Sequence, residues 1–112
     1  MSSTPKLTNH IKKVIKRDGS EVLFDKRKIE EAIYKSLTAT EEGGKSLAKD
    51  LTKKVIKLLN RRFKAGEIPS VEQIQDIVEE VLITENLAES AKAYILYREQ
   101  RRQIREARIP LV

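Results

Sequence analysis

Val14-Ile15-Lys16-Arg17-Asp18-Gly19-Ser20-Glu21-Val22-Leu23-Phe24-Asp25 reads as two short strands joined by a tight turn, running directly into a helix. Val14 and Ile15, then Val22, Leu23 and Phe24, are the β-branched, aliphatic and aromatic types that suit a pleated, half-buried surface. Between them, Asp18-Gly19 accepts positive φ cheaply and so permits a hairpin turn. Asp25 is placed to cap a helix beginning at Lys26, its carboxylate accepting from free backbone N–H groups of the first turn. A hairpin feeding a helix N-terminus, with Lys16, Arg17 and Lys28 beside it, suits an anion. The same residues also fit a plain hairpin covering one end of a helical bundle, its lysines merely solvated.

Downstream of that stretch, apolar residues recur at helical spacing four times. Ile29, Ala32, Ile33 and Leu37 define an amphipathic helix over 26–37. Thr38 to Gly44 is a polar loop, and Gly44-Lys45-Ser46 is no phosphate loop: it lacks the first glycine at the right spacing and any preceding strand. Leu47, Leu51, Val55, Leu58, Leu59 and Phe63 form the stripe of a second helix, Lys45 to Phe63. Ser70-Val71-Glu72-Gln73 matches a capping box and opens a third helix carrying Ile74, Ile77, Val78, Val81 and Leu82. Asn86 with Glu89 repeats that spacing and is expected to open a fourth, with Ala88, Ala91, Tyr94, Ile95 and Ile104. Arg98, Arg101, Arg105 and Arg108 are expected on one face of this last helix, and Pro110 is expected to stop it. Ile109, Leu111 and Val112 then leave an apolar end with little to bury against. The fold class expected is α+β, a small hairpin or three-stranded cap over a four-helix bundle.

At 112 residues the chain is long enough for one core and one domain. Residues 1–10 are expected to form a flexible tail, 11–105 the domain, and 106–112 a C-terminal tail or a linker to a further domain. No apolar run is long enough to span a bilayer and no secretory signal stands at the start, so a cytoplasmic protein is the default. With no cysteine, one histidine and no acidic cluster at ligand spacing, neither a thiol nucleophile nor a zinc site is available. Catalysis by this domain is therefore not expected. His10, alone at the edge of the first strand, reads as a surface residue.

The net charge of +6 is uneven. Residues 1–28 hold eight Lys or Arg against three acids, and 98–108 five Arg against two Glu. If the two ends of the chain meet, they make one basic patch suited to phosphate. No helix carries an Arg/Asn/Gln cluster for reading base edges, which argues against nucleic acid as the partner.

Lys16-Arg17-Asp18-Gly19, then Phe24-Asp25 and Lys28-Ile29, resembles the signature of the ATP-cone domain, the regulatory module of many ribonucleotide reductases. Val71 to Glu79 is similar to that family's third helix and Ala93 to Arg98 to its fourth, and the match runs from about Ile11 to Arg102 in the right order. The resemblance implies a non-catalytic domain that binds ATP or dATP with Mg2+. It implies partners too: a reductase catalytic core or a second cone, with homo-oligomerisation that depends on nucleotide. By position, Lys16 and Lys28 would contact the phosphates, with Arg17 and Lys26 nearby. Residues 22–28, Val22, Leu23, Phe24 and Asp25 among them, would wrap the nucleotide, with Asp25 at the base or ribose and Ile29 beside Lys28 in the same binding set. Val71 and Gln75 would close the base pocket, and Arg98 or Arg101 would reach the phosphates from the fourth helix.

Two positions depart from the family pattern: Val22 stands where some members carry glutamate, and Val71 where some carry threonine. A reductase-gene repressor also uses this cone, joined to a zinc ribbon that a chain without cysteine does not have. A stand-alone cone, or a regulator fragment binding nucleic acid or only protein, is the alternative. Tyr94 to Arg105 leans towards the anaerobic or cobalamin-dependent reductases.

Overall fold

The computed structural model describes residues 9–108. Two strands, β1 (Lys13–Ile15) and β2 (Glu21–Leu23), precede four helices: α1 (Lys26–Ala39), α2 (Lys45–Arg62), α3 (Val71–Thr84) and α4 (Ala88–Ala107). Helices α1 and α3 each pack against both α2 and α4, so the four close into a bundle. Ile33, Leu37, Leu51, Val55, Leu59, Val78 and Leu82 fill its centre, and Ile11 and Val14 anchor the hairpin arm to the same core. The α+β architecture expected from the sequence is the one observed.

The strands pair antiparallel, with Val14 opposite Val22. Their connection is a three-residue loop: Gly19 N–H bonds back to the Lys16 carbonyl (2.9 Å) and Lys16 N–H to the Ser20 carbonyl (2.8 Å). Only Gly19 takes positive φ (88°), and Asp18 instead accepts from the Ser20 amide and hydroxyl. This is a type I turn closed by a left-handed glycine, the usual solution for a three-residue hairpin. The third strand is reduced to one bridge between Ile15 and Ser70, tied by Ile15 N–H to the Pro69 carbonyl (3.0 Å). Strand β1 thus has a neighbour on each side, whereas β2 is an edge. Its side chains are accordingly more open than a half-buried strand: Val22 is 39% and Leu23 78% exposed.

Helix ends explain most of the boundaries. Asp25 caps α1 by accepting from Arg27 N–H (3.0 Å), and Ser70 and Gln73 form the reciprocal capping box of α3. Asn86 does not cap α4. It lies at φ 62° just past α3, where its N–H bonds to the Ile83 carbonyl and the Leu87 N–H to the Leu82 carbonyl. That is a Schellman ending, and asparagine tolerates its left-handed position better than most residues. The start of α4 is capped from elsewhere: Glu42 accepts from both the Ser90 amide (2.7 Å) and the Ser90 hydroxyl (2.6 Å).

Helix α4 also departs from its expected apolar face. Ser90, Ala91 and Tyr94 are buried, but Ile95 and Ile104 are about two-fifths exposed. At 20 residues α4 exceeds the 14 of α1 and α3, roughly 30 Å against 21 Å, so its last turns have little bundle beneath them. Asn9 and His10, placed by the sequence in a tail, are tied to α2. His10 N–H donates to Asn60 Oδ1 (2.7 Å) and His10 Nε2 to the Phe63 carbonyl (2.5 Å). Residues 1–8 of that tail, and Pro110 with its apolar neighbours, lie outside the described residues.

Candidate functional site

The hairpin turn, the N-terminal turn of α3 and the C-terminal half of α4 converge at one end of the bundle. Arg17, in the turn, makes the junction. Its Nε lies 3.2 Å from Glu72 Oε2 in the first turn of α3, and its Nη1 3.7 Å from Glu106 Oε1 in the last turn of α4. The basic N-terminal and C-terminal segments therefore meet in space.

Beside Arg17 runs an open groove of about 420 Å3 between α3 and α4. Arg17, Arg98, Arg102 and Arg105 line it together with Gln75 and Glu79, and Ile95 and Leu96 supply an apolar wall. Positions 98, 102 and 105 fall on one helical face by the four- and three-residue spacing that brings side chains together. Arg98 donates to Asp76 (2.9 Å) and Glu79 (2.5 Å), and its side chain is only 20% exposed, less than that of Arg17 or Arg102. Partial burial disfavours its charge, but the bonds to Glu79 and Asp76 outweigh that and hold its pKa above the ordinary arginine value. Arg102 bonds to Glu99 and Glu106, Glu99 first, and is raised further. The Arg105 Nε is buried without a hydrogen-bond partner among the described residues. A buried guanidinium N–H left unpaired is costly and calls for an acceptor in its surroundings. Next to the groove, Tyr94 and Tyr97 form a tilted pair with centroids 6.3 Å apart. Burial raises the Tyr94 phenol well above its usual range, so it stays neutral.

The residues singled out in the sequence divide into two sets. Arg17, Gln75 and Arg98 line the groove. Lys16, Val22, Leu23, Lys26 and Lys28 are exposed along the hairpin and the start of α1, and the three lysines make no ion pair with a described residue. Asp25 is occupied as the α1 cap, and hydrogen bonds from the Arg27 side chain and amide hold its carboxyl below the usual range. Ile29 is buried in the core, while Phe24 and Val71 pack against it half-buried. Arg101 is exposed and lines no part of the groove. Arg105 lines the groove as the row expected, but Arg102 takes the inward place of Arg101, a one-residue offset that turns a helical side chain by about 100°.

Nucleotide phosphates are compatible with this donor set, since guanidinium groups match phosphate oxygens geometrically and Arg105 Nε has no acceptor among the described residues. Among the described residues no group of three or more His, Asp or Glu could hold a metal ion, and no helix is long and apolar enough to cross a membrane.

Comparison with known proteins places this architecture. A vitamin B12-dependent ribonucleoside-diphosphate reductase of Thermoplasma acidophilum is 48% identical over 101 residues, covering 86% of this chain and 13% of that protein. An anaerobic ribonucleoside-triphosphate reductase of Haemophilus influenzae is 38% identical over 98 residues, 88% of this chain and 14% of that one. The alpha subunit of a ribonucleoside-diphosphate reductase of Chlamydia pneumoniae is 35% identical over 98 residues, 80% and 9% respectively. The chain thus spans between 9% and 14% of the length of these relatives. The model of the ATP cone domain matches residues 12–103, from the first strand through the arginine-bearing half of α4. On that match, covering the hairpin and all but the last turn of the bundle, the chain belongs to the ATP cone domain family.

Proposed function

We propose that the chain is a regulatory adenine-nucleotide-binding domain acting on a ribonucleotide reductase, with no catalysis of its own. The observation that carries this reading is the meeting of the hairpin turn and the α4 arginines through Arg17 in a chain of the ATP cone family. ATP or dATP would lie across the hairpin end of the bundle. Lys16 and Lys28 would bind phosphate, and Arg98 would add charge from α4. Val22 and Leu23, exposed on opposite faces of the edge strand, would each offer an adenine ring an apolar contact. Val71 and Gln75 stand at the opening turn of α3, on the other side of β1 from β2. Asp25, already oriented by Arg27, would offer its remaining acceptor capacity to ribose or base. Mg2+ would arrive on the phosphates.

The regulatory step follows from position. A ligand engaging the hairpin and α4 changes the surface both present to a reductase core or to a second cone, and ligand affinity and assembly are then linked reciprocally. The names of two relatives, one vitamin B12-dependent and one anaerobic, support a cobalamin-dependent or anaerobic parent, which would act in the cytoplasm. Titration calorimetry with ATP, dATP, GTP and CTP, each with Mg2+, tests the reading. Binding of the two adenine nucleotides in preference to the others supports it. Equal binding of all four, or none, removes it.

A further inference from the structure

The cations of the groove are held by carboxylates. Arg17 lies between Glu72 of α3 and Glu106 of α4, Arg98 between Asp76 and Glu79, and Arg102 between Glu99 and Glu106. Carboxylate and phosphate oxygens present guanidinium with the same acceptor geometry, so one can replace the other. We propose that Glu72 and Glu106 act as internal stand-ins for ligand phosphate, holding Arg17 until an anionic ligand displaces them.

Three features point to Arg17 as the exchangeable member. Its two pairs are exposed: the side chains of Arg17, Glu72 and Glu106 retain 44%, 35% and 51% of their surface. Such pairs are screened by water and salt and exchange readily. Arg98, by contrast, is largely covered and bound at 2.9 and 2.5 Å, so it stays in place. Glu106 also sits in the last turn of α4, where an acid opposes the helix dipole, so the helix end itself does not favour its charge. Arg102 supports it there, 2.5 Å from the same Oε1 that faces Arg17.

The consequence is competitive. Each carboxylate lowers anion affinity by occupying Arg17 and by repelling the incoming charge. An anion that takes Arg17 simultaneously breaks the turn's ion pairs to the start of α3 and the end of α4, while Ile15 N–H still holds β1 to the Pro69 carbonyl. The two carboxylates would thus set the ligand concentration at which the hairpin parts from α4.

The inference rests on the nucleotide reading above, and its test separates the two. Sodium tripolyphosphate and Mg-ATP are titrated into the wild-type chain, Glu72→Gln, Glu106→Gln and the double variant. Glu85→Gln is the charge-matched control, at the opposite end of α3, where Glu85 pairs with Lys54. Removing each competitor should tighten binding about two- to fivefold, and both about tenfold, while Glu85→Gln changes it far less. Wild-type binding that the two glutamines leave unchanged, or shift no more than Glu85→Gln does, overturns the inference alone. Absence of binding to wild-type and variants overturns the nucleotide reading and this inference with it.

Discussion

Glu41 holds φ at 57°, a left-handed conformation that residues with a Cβ rarely adopt. It does so because α1 ends in a Schellman motif: Glu42 N–H bonds to the Leu37 carbonyl (3.0 Å) and Glu41 N–H to the Thr38 carbonyl (3.3 Å). Glycine is the residue that position favours. Glu41→Gly relieves a conformational cost of about 1–2 kcal/mol. Against this stands the extra entropy of glycine in the unfolded chain, about 0.4–1 kcal/mol. Removing an acid from a helix C-terminus adds about 0.3 kcal/mol. The net expectation is a gain of about 1 kcal/mol. For 112 residues the unfolding entropy is about 0.24 kcal/mol/K, so Tm should rise by about 4 °C. Thermal melts followed by circular dichroism, with Glu41→Ala beside Glu41→Gly, read this directly. Alanine removes the same charge but keeps the Cβ, so it should recover little. Equal Tm for the two variants would refute the backbone argument, and a lower Tm for glycine would show that Glu41 makes a contact worth more than its strain.

Glu42 gives a pH dependence. Hydrogen bonds from the Ser90 hydroxyl and amide hold its folded pKa below the ordinary 4.5, so its contribution is complete above that value and is lost as pH falls through the folded one. Glu42→Gln should lower Tm at pH 7, and the gap to wild type should close as the pH is taken from 6 to 3; a constant gap would count against the cap. Lys16→Ala should weaken Mg-ATP binding at least tenfold in calorimetry while leaving Tm without ligand nearly unchanged, because its side chain is exposed and its backbone makes the turn bonds. Unchanged affinity would remove Lys16 from the site.

Much of this was legible in the sequence because the deciding signals are local. Asp25 and Ser70 cap the helices they immediately precede, Gln73 completes the Ser70 box from the first turn of the same helix, and Gly19 closes the turn in which it stands. Ile74, Ile77, Val78, Val81 and Leu82 are all buried, as a 3.6-residue period requires. What was not legible depended on distant or ambiguous contacts. Asn86 suits both a helix start and a left-handed helix end, and only the hydrogen bonds of the residues around it decide between them. The cap of α4 comes from Glu42, 48 residues before Ser90, beyond the reach of any spacing rule. On α4, Arg98, Arg101, Arg105 and Arg108 make a regular row on paper, yet the groove takes 98, 102 and 105. A sparse apolar stripe over the last turns leaves the rotation of that helix undetermined by pattern alone. The carboxylate partners of Arg17 and Arg98 could not be read at all, since three of them lie on α3 and one at the end of α4.

Regulation by this domain requires that its site select adenine nucleotides. A thermal-shift series with ATP, dATP, GTP and CTP, each with Mg2+, beside a short DNA duplex, tests it most directly, because a ligand that binds only the folded chain raises Tm by mass action. At a hundredfold excess over Kd the stabilisation is about 2.7 kcal/mol, or about 11 °C for a domain of this length. That rise is expected for ATP and dATP, and little for GTP, CTP or DNA. A rise with DNA and none with any nucleotide would contradict it.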